Sequence, residues 1–234
     1  MVRIAVIRFP GSNCDLDVVH VLKNVLGVEA SLVWHKEFKA LGYDGVVLPG
    51  GFSYGDYLRS GAIAARSPAL EHVKVMVDNG LPVLGICNGF QILVEAGILP
   101  GALLPNENLK FICKWVYIRC DNGWTAFTWG IPEGKVLYIP IAHKEGRYFS
   151  DEAELERLSR KRMIVFRYTD QKGEAVPEAN PNGSIRNIAG ICNEKGNVLG
   201  LMPHPERASE ELLSPSGSAD GLLLFKSMAE YVKR

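Results

Sequence analysis

The hydrophobic pattern of the first hundred residues alternates between short, nearly continuous apolar runs and longer amphipathic segments. The apolar runs predict strands at 4–8, 31–34, 45–48 and 82–86, and the amphipathic segments predict helices at 15–26, 68–78 and 88–95. Strands this rich in Val, Ile and Leu are typical of parallel strands that are buried on both faces. This half therefore predicts an α/β fold with a mostly parallel central sheet covered by helices on both faces.

Shorter apolar and alternating segments follow in the second half of the chain. They predict strands at 111–118, 136–141, 163–168, 185–191 and 198–202. A charged segment at 150–162 has its acids first and its bases last, the order that a helix dipole favours, and a final amphipathic helix is predicted at 221–231. We expect the strands of this half to be antiparallel additions to the same sheet. Without a repeat, linker or low-complexity stretch, we expect one domain over 1–234.

Composition narrows the class of protein further. Of the 234 residues 47% are apolar, and the 26 basic and 26 acidic side chains are interspersed, which argues against a nucleic-acid or anionic-membrane partner. No apolar run approaches the ~20 residues that span a bilayer, and no signal-peptide cleavage pattern is present, so we expect a cytoplasmic protein. Five cysteines without a CxxC pair argue against a disulfide framework or a tetrathiolate zinc site.

One cysteine occupies a special position, because Cys87 falls where the strand at 82–86 turns into the helix that begins at Asn88. Gly85 and Gly89 flank it, and a Cβ at either position would obstruct a tight strand-to-helix turn. We expect an exposed thiol at a helix N-terminus, where the free amides and the helix dipole favour the thiolate. On this pattern alone, a nucleophile and an inert packing cysteine remain equally open, and we expect Cys14 to be a packing residue.

A second motif, His204-Pro-Glu206, follows the strand predicted at 198–202. The two prolines at 203 and 205 predict an extended backbone, in which residues two apart lie on the same side. The Glu206 carboxylate could then orient an imidazole that faces Cys87. Taken alone, the motif fits a surface turn better, but together with the cysteine turn it favours a nucleophile with its base.

The order of Cys87, then His204 117 residues later, then Glu206 resembles the class I glutamine amidotransferases. In that family a Cys-His-Glu triad hydrolyses glutamine, so the resemblance implies these three catalytic residues and the family's fold. It also implies that the backbone amides of Gly51 and Asn88 form the oxyanion hole. Amides aimed at a developing oxyanion contribute roughly 3 to 4 kcal/mol each.

Further strings resemble one branch of that family, the glutaminase subunits of phosphoribosylformylglycinamidine synthase. The strings are FPGSNCD at 9–15, GFSYGDYLRSGA at 51–62, GICNGFQ at 85–91, HKEGR at 143–147 and MPHPER at 202–207. One departure is Lys144, where the branch more often has glycine. The loops carrying these strings hold candidate substrate or interface residues, namely Asn13, Asp56, Arg59, His143, Glu145 and Arg147. We interpret His143, Glu145 and Arg147 as parts of one glycine-containing loop.

The resemblance implies partners as well as a substrate. The substrate is glutamine, and the ammonia passes to a separate large synthetase subunit assisted by a small accessory subunit. The chain has no GxxxxGK[ST] phosphate-binding loop, so ATP and Mg²⁺ are expected on the synthetase partner, with no cofactor and no metal in this chain.

Two alternatives stay open at this point. A glutaminase serving another synthase, for pyridoxal phosphate, imidazole-glycerol phosphate or guanylate, would share the triad and differ in the strings around Asn13, 52–62 and 143–147. The second alternative is a non-enzymatic module with the same fold, against which the intact triad argues, or a cysteine hydrolase acting on peptides or small carbonyls. Labelling of Cys87 by a thiol-reactive glutamine analogue is expected from a glutaminase but not from a hydrolase with a different pocket.

Overall fold

The computed structural model describes residues 2–233, and strands from both halves of the chain join in one nine-stranded sheet. Its strands are β1 (Arg3–Arg8), β2 (Glu29–Trp34), β3 (Gly45–Leu48), β4 (Val83–Ile86), β6 (Ile112–Cys120), β7 (Val136–His143), β9 (Ile164–Thr169), β10 (Ile188–Cys192) and β11 (Val198–Leu201). A separate two-stranded sheet pairs β5 (Ala102–Pro105) with β8 (Glu145–Phe149). The α-helices are α1 (Asp15–His20), α2 (Ala69–Asp78), α3 (Asn88–Glu95), α4 (Glu152–Arg160) and α5 (Leu222–Tyr231).

The strand order of the large sheet is β2-β1-β3-β4-β11-β10-β9-β6-β7. The first five of these strands are parallel, and the last four add antiparallel pairs, which confirms the expected α/β architecture. One expectation was wrong, because β11 is not an antiparallel addition. It pairs in parallel with β4 and so brings its carboxyl end beside that of β4.

The central parallel strands β3, β4 and β11 are buried on both faces. Every residue of β3 and β4 is buried, as the unbroken apolar runs predicted. Helix α3 packs against β3, β4 and β11, while α1 packs against β1 and β2. Beyond His20, α1 continues as a π-helical turn over Val21–Val25, which places Val21 and Leu22 in the core. Within the described residues, each helix is too short or too polar to cross a membrane.

The segment at 143–147 is not a loop, which corrects the sequence interpretation. His143 ends β7 and Glu145 begins β8, with Lys144 as the single residue between the two strands. The polar and glycine-containing string resembled a turn, but β8 satisfies its backbone by pairing with β5, which the local pattern did not predict.

Four parallel strands deliver their following segments to one edge of the sheet. The segment after β1 leads to Asn13, β3 leads to Gly51, β4 leads to Cys87 and β11 leads to His204. The carboxyl ends of parallel strands are the usual location of ligand sites in such sheets. The fold therefore gathers the sequence-predicted residues from distant parts of the chain.

Candidate active site

Cys87 forms the sharp turn between β4 and α3. Its backbone has φ 49° and ψ −104°, a left-handed conformation that costs a non-glycine residue about 1 to 3 kcal/mol. The surrounding structure holds it there, because the Cys87 amide donates to the Leu201 carbonyl at 2.8 Å and the Cys87 carbonyl accepts from the Gln91 amide at 3.1 Å. The cysteine is therefore fixed between the neighbouring strand and the helix that it begins.

The two flanking glycines have the steric purpose predicted for them. A Cβ on Gly85 would lie 2.7 Å from the carbonyl oxygen of Gly89 and would also overlap Leu93. A Cβ on Gly89 would overlap the backbone carbonyl of Leu48 in β3. Helix α3 thus approaches the sheet at a distance that only glycine permits.

The expectation of an exposed thiol was wrong. Cys87 is only 4% exposed, and its Sγ lies 3.8 Å from the carbonyl oxygen of Ala142 near the end of β7. Cys87 lies instead in the wall of a cavity of about 210 Å³, hereafter the Cys87 cavity, which Gly51, Asp56, Gln91 and Glu145 also line. A ligand therefore meets the thiol inside a pocket rather than on the open surface.

His204 and Glu206 form a buried hydrogen-bonded pair. His204 Nδ1 and Glu206 Oε1 are 2.7 Å apart, and both residues are 2% exposed. The predicted contact is present, but the predicted extended backbone was wrong, because Pro205–Ala208 forms a 3₁₀ turn. The His204 amide donates to the Pro140 carbonyl of β7 at 2.8 Å and anchors this turn to the sheet.

The charge state of His204 follows from its neighbours. Burial alone would lower its pKa, but the Glu206 carboxylate and the nearby Cys87 thiol raise the pKa well above the usual value of 6.5. On the far side of the ring, Nε2 has no hydrogen-bond partner among the described residues. The pair thus favours an imidazolium at neutral pH, the partner that stabilises a cysteine thiolate.

A second cysteine, Cys14, contacts the same imidazole. Its Sγ lies 3.7 Å from His204 Nδ1, and Arg207 donates to it at 3.1 Å. Burial is the largest influence and raises the pKa of the Cys14 thiol. No local pattern predicts this contact, since it depends on the loop after β1 folding over the turn after β11.

Cys14, His204 and Glu206 each place one possible metal-ligand atom within 4.8 Å of the others. These atoms already have partners, because His204 Nδ1 bonds to Glu206 and Arg207 bonds to the Cys14 sulfur. A metal ion here would have to displace the His204–Glu206 hydrogen bond and would sit beside the Arg207 cation. The arrangement therefore fits a hydrogen-bonded cluster better than a cation site.

Gly51 lies where the loops after β1 and β3 meet. It forms a β-bridge with Ser12, and its φ of 148° together with contacts from Gly11 and Asn13 leaves no room for a side chain. Gly50 is equally confined, since a Cβ there would lie 2.7 Å from the His204 ring. Gly51 lines the Cys87 cavity and Asn88 begins α3 directly after Cys87, but their oxyanion-hole role stays a prediction.

Two carboxylates face the Cys87 cavity. Glu145 accepts from the Ser60 amide at 3.2 Å, and Asp56 lies 3.5 Å from the side-chain nitrogen of Asn88. Burial raises the pKa of Asp56 to about 6, helped by the charge of Glu145 and opposed by a hydrogen bond with Ser60. Lys144 also lines the cavity and contributes a positive charge. The cavity therefore presents both signs of charge, as a zwitterionic ligand requires.

The remaining loop candidates lie in three places: Arg59 on the surface, His143 in the wall of the Cys87 cavity and Arg147 along β8. Arg59 forms an ion pair with Glu95 and is 64% exposed, so it lies on the surface. His143 is buried against Asn106 at 3.1 Å, and burial lowers its pKa to about 3, which keeps its ring neutral. Arg147 lies further along β8 beside Gly183, away from the lining of the Cys87 cavity.

A second cavity of about 210 Å³, hereafter the His204 cavity, adjoins the first. Asn13, Cys14, Phe111 and Arg207 line it together with His204. The two cavities share Gly51, Phe52 and Ala142 as a common wall. Cys87 and His204 therefore meet at the boundary between two compartments. The predicted residues Gly51, Asn13 and His204 line these cavities, and the strings at 51–62 and 202–207 contain Phe52 and Arg207. Sequence reasoning missed Phe111 and Ala142, which carry no motif of their own.

The fold and this site define a glutamine amidotransferase. Residues 1–232 match the model of the CobB/CobQ-like glutamine amidotransferase domain, and the chain belongs to that family. It is 56% identical over 230 residues to the phosphoribosylformylglycinamidine synthase subunit PurQ of Methanosarcina acetivorans, covering 98% of each chain. It is 53% identical over 234 residues to the PurQ subunit of Pyrococcus horikoshii, covering 100% of both. Within the family, the chain falls in the PurQ group.

A solved structure supports the same placement. The structure of PurLQS from Thermotoga maritima superposes with a TM-score of 0.85 at 45% sequence identity and covers 98% of each chain. The glutaminase domain of Trypanosoma brucei CTPS, solved with bound acivicin, shares the fold at a TM-score of 0.61 and 16% identity.

Proposed function

We propose that this chain is the glutaminase subunit of phosphoribosylformylglycinamidine synthase and that it releases ammonia from glutamine with Cys87 as the nucleophile. The observation that carries the proposal is the meeting of a strained cysteine turn with the buried His204–Glu206 pair across adjacent parallel strands. The membership of the chain in the PurQ group supplies the substrate and the pathway.

The proposal gives each residue of the site a role that the geometry supports. The Cys87 thiolate attacks the side-chain amide carbon of glutamine, and the amides of Gly51 and Asn88 stabilise the oxyanion. His204 then protonates the departing nitrogen, so the carbon–nitrogen bond breaks and a γ-glutamyl thioester remains on Cys87. His204 next activates a water molecule that hydrolyses the thioester to glutamate. Glu206 orients the imidazole through Nδ1 and stabilises its cation.

The charges of the Cys87 cavity support an amino acid as the ligand. Asp56 and Glu145 would hold the α-ammonium group of glutamine, and Lys144 would hold its α-carboxylate. Gln91 supports this arrangement, because its side-chain amide bonds to the Glu145 backbone carbonyl and to Asn88. In this binding mode the amide end of glutamine would point toward Cys87.

The ammonia is consumed elsewhere. A large synthetase subunit, aided by a small accessory subunit, would use ATP and Mg²⁺ to convert formylglycinamide ribonucleotide into formylglycinamidine ribonucleotide. The lack of a phosphate-binding loop motif in this sequence supports that division of labour. We place the complex in the cytoplasm, where purine synthesis needs its substrates, and we assign no cofactor to this chain.

Glutamate release from glutamine tests the proposal, measured with the chain alone and with both partner subunits, ATP and formylglycinamide ribonucleotide. Cys87→Ala should abolish release, and Cys14→Ala is the matched control, because it removes a second buried thiol beside the same imidazole. We expect weak release by the chain alone and a large rise in the complete mixture. Release that persists in Cys87→Ala would refute the nucleophile, and release that ignores the partners would refute the purine assignment.

A further inference from the structure

The segment at 53–58 carries an unusual backbone beside the Cys87 cavity. Tyr54, Asp56 and Leu58 have φ values of 55°, 55° and 69°, a left-handed conformation that residues with a side chain rarely adopt. Such residues persist only where the surrounding structure holds them in place. We call residues 53–58 the Asp56 loop, because Asp56 is the member of this segment that lines the cavity.

Backbone contacts anchor only the beginning of the Asp56 loop. The Tyr54 amide donates to the Pro10 carbonyl at 2.7 Å, and the Ser53 amide donates to the side-chain oxygen of Asn88 at 3.2 Å. The end of the loop extends into solvent, since Tyr57 and Leu58 are 75% and 91% exposed. The position of the Asp56 carboxylate therefore depends on what holds the residues just before it.

A chain of side-chain hydrogen bonds, hereafter the Tyr54 tether, reaches the loop from the protein interior. The Tyr54 hydroxyl lies 3.2 Å from His35 Nε2, and His35 Nδ1 lies 2.7 Å from the Ser67 hydroxyl. His35 directly follows β2, is 2% exposed, and its amide donates to the Arg8 carbonyl at 3.0 Å. Ser67 is also buried and accepts from the Ala69 amide at 3.3 Å, where α2 begins. The tether thus connects the loop to the central sheet and to α2.

The His35 ring is suited to the middle of this tether. Burial lowers the pKa of His35, and the charge of Lys36 lowers it further, so the ring is neutral at neutral pH. A neutral imidazole has one donor nitrogen and one acceptor nitrogen, and a hydroxyl can complement either of them. Phe9 stacks on the ring with centroids 5.2 Å apart, and the Tyr54 ring meets its edge at 6.0 Å. Turning the His35 ring would break both hydrogen bonds and the stacking contact.

The tether lies outside the catalytic chemistry. Neither Tyr54 nor His35 is among the described residues that line the Cys87 cavity or the His204 cavity. Tyr54 is two residues from Asp56, so an effect of the tether on glutamine would pass through that carboxylate. A loop that is already held in its binding conformation costs the ligand less to order, and the ligand then binds more tightly.

We propose that Tyr54 is a positioning residue for glutamine, whose hydroxyl, held by His35 and Ser67, keeps the strained Asp56 loop in the conformation that presents Asp56 to the substrate. The inference rests on the proposed hydrolysis of glutamine and on Asp56 as the partner of its α-ammonium group. It identifies the contacts that hold this partner in place before glutamine binds.

Tyr54→Phe tests the proposal, because it removes the hydroxyl and keeps the ring. Tyr57→Phe is the matched control, since it removes an exposed hydroxyl from the same loop. In the complete mixture, Tyr54→Phe should raise KM for glutamine about 3- to 10-fold, the effect of one lost hydrogen bond, and change kcat less than about twofold. Tyr57→Phe should have the kinetics of the wild type. The analogue 4-carbamoylbutanoate, which lacks the α-amino group, should react equally with all three proteins.

Two further measurements separate positioning from a general loss of structure. If Tyr54 acts through Asp56, adding Tyr54→Phe to Asp56→Asn should change KM less than about twofold. Hydrogen–deuterium exchange gives a readout without substrate, in which amides at 53–58 should exchange faster in Tyr54→Phe than in the wild type or Tyr57→Phe. Exchange in the central sheet should be unchanged, which would show that the variant keeps its fold.

The outcomes separate this inference from the proposed function. A wild-type KM in Tyr54→Phe, an equal rise in Tyr57→Phe, or a rise that persists in the Asp56→Asn background would overturn the positioning role, while the glutaminase assignment stands. An equal rise for 4-carbamoylbutanoate, or unchanged exchange at 53–58, would overturn it as well. A wild-type complex that releases no glutamate from glutamine would instead refute the proposed function.

Discussion

Replacing Asp56 with Asn separates the stability of the free protein from its binding of glutamine. Asp56 lies in the wall of the Cys87 cavity beside Glu145, and burial is the main reason that its pKa rises to about 6 from an ordinary value of 3.8. The ionised carboxylate is therefore costly in the free protein. If its role is to bind the α-ammonium of glutamine, Asp56→Asn should stabilise the fold and weaken the substrate complex.

The size of the stability change follows from the pKa. A rise of the Asp56 pKa by about two corresponds to a free-energy cost of about 3 kcal/mol for the ionised carboxylate, at 1.36 kcal/mol per unit. Because the group is half-buried, contact with solvent reduces this cost to about 1 to 2 kcal/mol. Because the folded pKa lies above the unfolded one, the cost is absent below about pH 4. It develops as the pH rises to about 6 and is complete above that.

Two measurements follow from these values. Urea unfolding of wild type and Asp56→Asn should give equal stability near about pH 4 and a difference of about 1 to 2 kcal/mol in favour of the variant at about pH 7.5. Glutaminase kinetics should show KM for glutamine raised about 10-fold or more in the variant, with a smaller change in kcat. An analogue that lacks the α-amino group, 4-carbamoylbutanoate, should react equally with both proteins.

The pH dependence gives a second readout of the same group. In the wild type, kcat/KM for glutamine should fall as the pH drops through about 6, because protonated Asp56 cannot attract an ammonium group. This inflection should be missing in Asp56→Asn and weak for the analogue in either protein. An equal loss of activity toward glutamine and the analogue, or a variant less stable than wild type at neutral pH, would refute the reasoning.

Two further predictions concern the nucleophile turn and its base. Glu206→Gln keeps the shape of the side chain but removes the charge 2.7 Å from His204 Nδ1. Steady-state assays should show kcat/KM for glutamine reduced about 10- to 150-fold, while the variant folds almost normally. An unchanged kcat/KM would contradict the role of the His204–Glu206 pair. Gly89→Ala forces a Cβ onto the Leu48 carbonyl and should cost more than about 3 kcal/mol in urea unfolding, while Gly97→Ala, which meets open space at φ 68°, should cost about 1 kcal/mol. Equal losses in the two glycine variants would refute the steric argument.

The sequence predicts those elements whose signals are local. β3 and α3 begin and end at the predicted residues, and α5 begins one residue later than predicted. Their apolar runs and helical spacing suffice, because each of these elements is buried through its own pattern of side chains. The same holds for the motif residues Cys87 and His204, whose flanking glycines and prolines mark the turns that carry them.

Long-range pairing is not encoded in such local signals. β5 is four residues long and includes Pro105, and β8 contains the polar string that resembles a turn, so neither pattern predicts a strand before the other is known. The direction of β11 is equally hidden, since an apolar run pairs in parallel or antiparallel according to its neighbour. The burial of Cys87 depends on the end of β7, where Ala142 packs over the thiol. The strand and helix that flank Cys87 would by themselves leave this thiol exposed.

The parallel pairing of β4 with β11 determines the geometry of the catalytic pair. Ile86 is paired with Leu201, and the next amide, that of Cys87, still donates to the Leu201 carbonyl at 2.8 Å. The nucleophile therefore lies one residue beyond the ladder and His204 three residues beyond it. A slip of one residue would move one side chain past the other by about 3.3 Å, far more than a hydrogen bond tolerates. The close contact of Gly89 with Leu48 fixes α3 against β3. The register of β4 and β11 therefore sets the distance between the Cys87 sulfur and the His204 imidazole before glutamine or a partner binds.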